Sequence, residues 1–121
     1  MSREKFYLKD IIEAVNAIER FLQNVTKDKF LTDELLQSAV LHKLTIIGEA
    51  ASRVSDDLKS RYPEIEWKAI IGFRNIAVHA YFSVKWDIVW VTAKQDTQLL
   101  RKQINRILKQ DFPTEDANIE N

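Results

Sequence analysis

The middle of the chain reads Gly72-Phe73-Arg74-Asn75-Ile76-Ala77-Val78-His79-Ala80-Tyr81. Apolar residues in this region recur at three- and four-residue steps, which indicates a helix with one buried stripe: Trp67, Ile70, Ile71, Ala77 and Val78. Arg74 falls on that stripe, where an apolar residue is expected. Because burying an unpaired guanidinium costs several kcal/mol, the pattern predicts that Arg74 has a partner.

Two further polar residues near the end of this stretch carry chemistry. Tyr81 lies seven residues after Arg74 and therefore on nearly the same side of a helix, whereas His79 lies roughly 140° around it at about 100° per residue. Either the helix loosens before His79, or the two side chains serve different surfaces. Asn75 precedes His79 by four residues, a spacing that allows a hydrogen bond to the imidazole ring.

Length and composition favour a single helical domain. The chain has 121 residues, 45% of them hydrophobic, with only two glycines and two prolines, which favours long helices over a turn-rich β fold. It has no cysteine, so a disulfide framework and a thiolate metal site are excluded. There is no apolar run of about 18 residues and no signal-peptide pattern, so we expect a cytoplasmic protein without a membrane anchor.

Charge is balanced over the chain but unevenly distributed along it. The 18 basic residues equal the 18 acidic ones, but residues 111–121 hold four acidic residues and no Lys or Arg, which leaves 18 basic and 14 acidic residues, a net +4, in residues 1–110. We therefore predict a helical domain over residues 1–110 and an acidic, disordered tail over residues 111–121. A mildly basic domain permits a small RNA-contacting site, whereas a general nucleic-acid binder is usually strongly basic.

Hydrophobic periodicity predicts a long helix at each end of the chain. The first spans residues 6–25, and the last spans residues 84–110 with Ser83 as its N-cap. Their apolar seams suit a helix bundle, and they consist of Leu8, Ile11, Val15, Ile18, Leu22 and Val25 in the first helix and of Trp86, Val89, Ala93, Leu100, Ile104 and Ile107 in the last. With the helix of the motif and one more, they predict an all-α fold, a small bundle of about four to five helices.

The second predicted helix follows a break at residues 26–30. Thr32 is its expected N-cap, and it is expected to run to Arg61 because the residue before Pro63 avoids helical geometry. Gly48 in its interior costs about 1 kcal/mol relative to alanine, a cost that a close approach of another helix would offset. A tolerated surface glycine is the alternative. Other residues share its stripe and are mostly small: Leu41, Thr45 and Ser52.

The motif resembles a known family signature. Residues 74–81, RNIAVHAY, are similar to the R-x4-H-x-Y signature of HEPN-domain proteins, in which Asn, Asp or His follows the arginine. Residues 71–75, IGFRN, and the upstream residues 47–51, IGEAA, look like the HepT branch, toxins paired with MNT-type nucleotidyltransferase antitoxins. The resemblance covers residues 6–110. It implies an HEPN-like bundle that forms a two-fold dimer, with two copies of the motif facing each other across one cleft.

The resemblance implies a metal-independent endoribonuclease without a cofactor. RNA supplies its own nucleophile, the 2′-OH, so the enzyme needs a proton donor or acceptor and a cation near the phosphate, which are the roles of His79 and Arg74 as catalytic residues. Asn75 and Glu49 are supporting residues, Asn75 by fixing the His79 ring or contacting a phosphate. Nothing in the sequence resembles a P-loop, a dinucleotide-binding loop or a metal-ligand cluster.

The resemblance also implies partners and a mode of control. In the HepT branch, the antitoxin silences the toxin by transferring AMP groups to the motif tyrosine, which here is Tyr81. The expected partners are therefore an RNA substrate such as tRNA or mRNA, a second copy of the chain and an MNT-type nucleotidyltransferase. No DNA or membrane partner is expected.

Less specific interpretations of the same residues stay open. Arg74 fits a buried salt bridge with Glu49, Glu49 fits a surface pair with Arg53 four residues on, and His79 fits a structural histidine. His42 lacks such a context and is expected at the surface or in an interface. The tryptophans are expected in the core or a dimer contact: Trp67, Trp86 and Trp90. On these interpretations the chain is a non-catalytic helical binding partner, a substrate-presenting subunit of a nucleotidyltransferase, or a structural dimer.

Overall fold

The computed structural model describes residues 3–75 and 84–113, and all regular secondary structure within them is helical. The helices are α1 Glu4–Phe21, α2 Lys27–Leu31, α3 Glu34–Arg53, α4 Asp56–Arg61, α5 Trp67–Ile71, α6 Trp86–Val91 and α7 Thr97–Asp111, and the π-helical segment Thr92–Asp96 joins α6 to α7. The predicted all-α fold class is confirmed. None of these helices is long and apolar enough to cross a membrane.

Helices α1 and α3 form the centre of the bundle. The two helices lie antiparallel: the start of α1 is beside the end of α3, where the Glu4 carboxylate accepts a hydrogen bond from the Ser55 N–H (2.6 Å). Helix α7 packs on α1, and α5 packs on α3. The core between them includes Leu8, Ile11, Val15, Ile18, Val40, Leu44, Ile47, Ala51, Leu100, Ile104 and Ile107. The predicted seams of the first and last helices therefore face the core.

The first helix boundary after α1 differs from the sequence prediction. Residues 26–30 are not a break, because Thr26 caps α2 by accepting a hydrogen bond from the Lys29 N–H (3.2 Å). Thr32 is not the N-cap of α3: its hydroxyl donates to two carbonyls in the last turn of α2. Asp33 caps α3 instead by accepting from the Leu36 N–H (3.0 Å), and this hydrogen bond lowers the pKa of Asp33.

The second predicted helix is two helices. Helix α3 ends at Arg53, Val54 is extended (ψ 140°), and the Ser55 side chain accepts from the Leu58 N–H (3.1 Å) to begin α4. Serine is a favourable N-cap, so the interruption has a local cause that the apolar seam alone does not reveal. The helical stretch still ends at Arg61, before the proline, as predicted.

The last predicted helix is present, with one irregular turn. The π-helical segment interrupts it, and within this region the buried Thr97 hydroxyl donates to the Ala93 carbonyl (2.8 Å). Ser83 lies outside the described residues, so its capping role stays a prediction. The predicted start of the disordered tail at residue 111 is wrong, because Asp111 ends α7 and accepts a hydrogen bond from Arg61 (2.8 Å). Disorder beyond residue 113 stays a prediction, because the structure describes nothing there.

The three tryptophans contribute to the core of the described structure. Trp67 is buried, and its indole N–H donates to the Tyr62 carbonyl (3.1 Å). Trp86 and Trp90 are partly buried and contact the Phe30 ring, with centroid separations of 6.1 and 5.4 Å. Their predicted core role is confirmed, and a dimer contact stays a prediction.

Gly48 lets α3 approach the segment that carries the motif. A Cβ atom at Gly48 would lie 2.9 Å from the backbone N of Arg74, 3.0 Å from the carbonyl O of Ile70 and 3.1 Å from that of Ile71. All three are backbone atoms, which cannot move aside as a flexible side chain can. The predicted close approach is confirmed, and the alternative of a surface glycine is wrong.

We expect Gly48→Ala to lower the free energy of unfolding by about 2 kcal/mol, because an overpacking cost of up to ~3 kcal/mol exceeds the ~1 kcal/mol gain in helix propensity. Thermal melting followed by circular dichroism should show a Tm lower by roughly 5–10 °C.

Gly72→Ala is the matched control for this prediction. Gly72 has φ −62° and ψ −18°, and a Cβ there would meet its nearest atoms, the carbonyl oxygens of Ala69 and Lys68, at 3.2 and 3.5 Å. Alanine fits this helical geometry with small adjustments. Equal melting temperatures for the two variants would contradict the close approach at Gly48.

Candidate functional site

The motif segment begins with a turn at Gly72. Helix α5 ends at Ile71, residues 73–75 are again helical, and the Asn75 N–H donates to the Gly72 carbonyl (3.0 Å), a three-residue hydrogen bond tighter than that of an α-helix. The helix predicted across the motif therefore tightens at Gly72, where the backbone stays in helical geometry. His79 and Tyr81 lie outside the described residues, so their position relative to Arg74 stays a prediction.

Arg74 lies at the surface, and its predicted place on a buried stripe is wrong. Its side chain is 39% exposed. Its backbone N lies close to α3 at Gly48, whereas its guanidinium contacts the exposed carboxylate of Glu49. An anion can therefore reach the guanidinium from solvent.

Glu49 holds Arg74 and Arg53 at once. Its Oε2 lies 3.5 Å from Arg74 Nη1, and its Oε1 lies 3.5 Å from Arg53 Nη2. The two pairings that the sequence left as alternatives for Glu49 therefore occur together, although the pair with Arg74 is exposed rather than buried. We call Glu49, Arg53 and Arg74 the arginine–glutamate cluster.

The arginine–glutamate cluster contributes little to the stability of the fold. The Glu49 and Arg53 side chains are 48% and 58% exposed, and exposed ion pairs contribute only about 0–1 kcal/mol. The cluster nevertheless brings two guanidiniums to one carboxylate at the surface, beside the first residues of the motif.

Two other residues singled out in the sequence, Asn75 and His42, lie at the surface of the described structure. Asn75 is exposed next to Arg74, and its predicted hydrogen bond to His79 falls outside the described residues. His42 is exposed on α3, as expected. The sequence predicted Arg53 only as a surface partner of Glu49, because Glu49 lies four residues before it on the same helix. That spacing also accounts for the presence of Arg53 in the cluster.

Within residues 3–75 and 84–113, no three His, Cys, Asp or Glu side chains lie together as a metal ion would require. The metal independence of the reaction stays a prediction.

The fold and the cluster define a helical domain with a solvent-accessible arginine at the start of the motif. The sequence model of the family described as ribonuclease HepT-like matches residues 11–107. The chain belongs to this HepT-like ribonuclease family, within the HEPN superfamily, and it is an endoribonuclease. The predictions of family and enzyme class are confirmed.

Relatives along nearly the whole chain agree with this family. A Thermococcus cleftensis protein named "Probable ribonuclease HepT" is 38% identical over 105 residues, which cover 87% of this chain and 96% of that protein. Two Methanocaldococcus jannaschii proteins provisionally named as RNases are 31% and 33% identical; the matches cover 83% and 94% of this chain and 92% and 93% of those proteins. No solved structure matches the chain.

Proposed function

We propose that this HepT-like ribonuclease is the toxin of a toxin–antitoxin pair and cleaves RNA without a metal ion, using Arg74 and His79 as its catalytic residues. The observation that supports this is the position of Arg74, whose guanidinium is at the surface and is held by one oxygen of Glu49. A guanidinium presented in this way suits the non-bridging oxygens of a phosphate and the negative charge that develops on them during cleavage.

The chemistry follows from the structure of RNA itself. The 2′-oxygen forms a bond to the adjacent phosphorus and loses its proton, while the bond from phosphorus to the 5′-oxygen breaks and that oxygen takes up a proton. The products are a 2′,3′-cyclic phosphate and a 5′-OH. An imidazole with an unperturbed pKa of about 6.5 suits proton transfer at neutral pH, which is the role of His79.

A two-fold dimer would supply both proton transfers. Two copies of the motif facing one cleft bring two histidines to one phosphate, so that one His79 accepts the proton of the 2′-OH and the other donates to the leaving oxygen. In this scheme Glu49 orients Arg74, and Asn75 fixes the imidazole ring or contacts the phosphate. A dimer would also double the basic groups around a single cleft, which suits a domain whose net charge is only +4 over residues 1–110.

The proposed partner is an MNT-type nucleotidyltransferase that inhibits the enzyme by transferring AMP to Tyr81. The proposed substrate is an RNA such as tRNA or mRNA, met in the cytoplasm. This control is drawn from the HepT resemblance of residues 71–81.

A labelled RNA oligonucleotide tests the proposed reaction. We expect the purified protein to cut it equally well with and without a chelator, and mass spectrometry to identify a 2′,3′-cyclic phosphate on one product. A single 2′-deoxynucleotide at the cleavage position should abolish that cut, because the nucleophile is then missing.

Two results would contradict the proposal. Loss of activity in chelator, or products that carry a 5′-phosphate, would require another mechanism. A protein that binds the nucleotidyltransferase but cuts no RNA would instead be the non-catalytic binding partner.

A further inference from the structure

A surface groove runs between α1 and α3 and includes the residue that holds Arg74. One wall is formed by Arg3, just before α1, and by Tyr7 and Asp10 of α1, which follow it at steps of four and three residues. The other wall is formed by Glu49, Ala50 and Arg53 of α3. Residues at such spacings share one helix face, so the groove is a regular feature of the helix pair. Glu49 lines the groove and contacts Arg74 outside it, which makes the groove continuous with the proposed catalytic site.

Positive charge lies at one end of this groove. Arg3 precedes α1 and Arg53 ends α3, and these helix ends lie side by side because Glu4 accepts a hydrogen bond from Ser55 (2.6 Å). Both arginines are exposed. Asp10 lies seven residues further along α1, about 10 Å away at 1.5 Å per residue. The Glu4 and Glu49 carboxylates lie at the same end, so a phosphate would contact Arg3 and Arg53 on their solvent-exposed sides. Asp10 disfavours a second phosphate further in.

An aromatic ring lies between the two ends. Tyr7 lines the groove between Arg3 and Asp10, and it is half-buried with its side chain packed against the core. Packing holds the ring in place, so little conformational entropy remains to be lost when a ligand contacts it. Base–aromatic stacking is a common, sequence-tolerant way of holding single-stranded RNA.

We propose that the groove between α1 and α3 binds the nucleotide adjoining the scissile phosphate, with Arg3 and Arg53 contacting its phosphate and Tyr7 contacting its base. This rests on the proposed function, because it takes Arg74 as the site of the scissile phosphate. Glu49 separates Arg53 from Arg74 by a single carboxylate, with one oxygen facing each. The cluster then presents two cations to neighbouring phosphates of one strand.

Arg53 also has a simpler structural role available. A cation in the last turn of α3 interacts favourably with the helix dipole, and Arg53 pairs with Glu49 within that helix. A purely structural Arg53 would change thermal stability and leave RNA affinity alone. RNA affinity and its salt dependence therefore separate the two roles.

The test measures binding without cleavage. The probe is a fluorescent RNA oligonucleotide with a 2′-deoxynucleotide at the cleavage position, and fluorescence anisotropy gives its Kd over a range of salt concentrations. We expect Arg53→Gln and Arg3→Gln each to raise Kd about tenfold, as the loss of a charge-assisted hydrogen bond does. The slope of log Kd against log salt should fall by about 0.7 for each lost phosphate contact.

Arg106→Gln is the matched control. Arg106 is exposed on α7, which does not line the groove, and the substitution removes the same charge. Its Kd and salt slope should stay at the wild-type values. A tenfold rise for Arg106→Gln as well would mean that net charge, and not the groove, controls binding, which would overturn the proposal.

The Tyr7 contact has its own test. Tyr7→Phe keeps the ring and should keep the Kd, whereas Tyr7→Leu should weaken binding. On a probe with an abasic site at the nucleotide next to the cleavage position, Tyr7→Leu should have no further effect, because the base that it contacts is gone. Melting curves identify any variant that has lost its fold. If Tyr7→Leu has lost it, the wild type decides the matter: it should bind the abasic probe more weakly than the intact probe, and an equal Kd for the two probes would contradict the contact.

Three outcomes would overturn the proposal that the groove binds RNA. One is an unchanged Kd and salt slope for Arg53→Gln. Another is a lower kcat with an unchanged Kd, which would mean that Arg53 only positions Glu49 and Arg74. The third is a changed oligomer mass in light scattering, which would mean that the groove contacts protein. Because Kd is measured without cleavage, these failures are distinguishable from a failure of the proposed reaction, which the cleavage products report.

Discussion

Replacing either Arg74 or His79 by alanine should abolish RNA cleavage while leaving the helical fold intact. Loss of a general acid or base typically costs 10²–10⁴-fold in rate, and loss of a preorganised contact to transition-state charge costs about 10²–10³-fold. We therefore expect kcat/KM to fall by at least about 100-fold for each variant. Growth inhibition in cells that express the protein should disappear in parallel.

The fold should survive the Arg74→Ala substitution because the side chain is accessible to solvent and its ion pair is weak. The Arg74 side chain is 39% exposed, and its ion pair with Glu49 is 3.5 Å long, so the pair contributes only about 0–1 kcal/mol. Circular dichroism should give the wild-type helical signal. A variant that unfolds instead would favour the structural interpretation of the residue.

The second histidine of the chain supplies the control for His79. His42 is exposed on α3, outside the cluster, so His42→Ala should cut RNA at the wild-type rate. The wild-type rate should also depend on pH through His79 of the two copies and not through His42. This pH dependence should therefore persist in His42→Ala. Cleavage by His79→Ala at the wild-type rate would show that the catalytic assignment is wrong.

Tyr81→Phe should prevent the partner nucleotidyltransferase from modifying the protein. In the expected reaction, the phenol oxygen of Tyr81 bonds to the α-phosphorus of ATP, pyrophosphate leaves, and a base of the partner takes the phenol proton. Intact mass after incubation with the partner, ATP and Mg²⁺ should show one or more AMP units on the wild type and none on Tyr81→Phe. The variant should also keep toxicity that AMP transfer no longer removes.

The attached AMP would block the enzyme through charge and size. It adds a bulky anion two residues from His79, and Arg74 is an accessible cation in the same motif. Pairing of the AMP phosphate with Arg74 would occupy the place of the RNA phosphate. Inhibition should therefore appear as loss of RNA binding as well as loss of cleavage.

The other two tyrosines serve as controls. Tyr62 is buried, its hydroxyl shares its one hydrogen between Gln110 Oε1 and Asp111 Oδ1 (3.0 Å each), and burial together with the Asp111 carboxylate raises its pKa. A phenol held in this way is a poor nucleophile, so Tyr62→Phe should accept AMP as the wild type does. Tyr7→Phe should behave likewise. Mapping of the modification to Tyr7 or Tyr62, or no mass gain with an active partner, would leave inhibition by binding alone.

The all-α class and the core were predictable because they depend on local periodicity. Apolar residues at three- and four-residue steps identified the buried seams of α1 and α7, including Ile11, Ile104 and Ile107. The small-residue stripe around Gly48 left two alternatives, a close helix approach or a tolerated surface glycine, and the structure shows the close approach. The motif residues indicated the family that the comparisons confirm.

Helix boundaries were less predictable because neighbouring capping residues compete. Thr32 and Asp33 are both good N-cap residues. Asp33 caps α3 because the Thr32 hydroxyl already bonds to a carbonyl of α2. Helix α2 has only five residues, too few for hydrophobic periodicity to reveal it. The break between α3 and α4 falls at Ser55, a favourable N-cap, whose N–H also bonds to Glu4 at the other end of the sequence. Such a contact leaves no trace in the local pattern.

The sequence by itself determined the helical class, the buried seams and the identity of the motif residues. Only the tertiary structure decided that the Arg74 side chain is accessible, although its backbone N approaches α3 at Gly48. It also decided that Glu49 serves two arginines, one four residues away on the same helix and one 25 residues away. Periodicity reports which side of a helix is apolar, whereas the exposure of a long side chain depends on how closely the next segment packs.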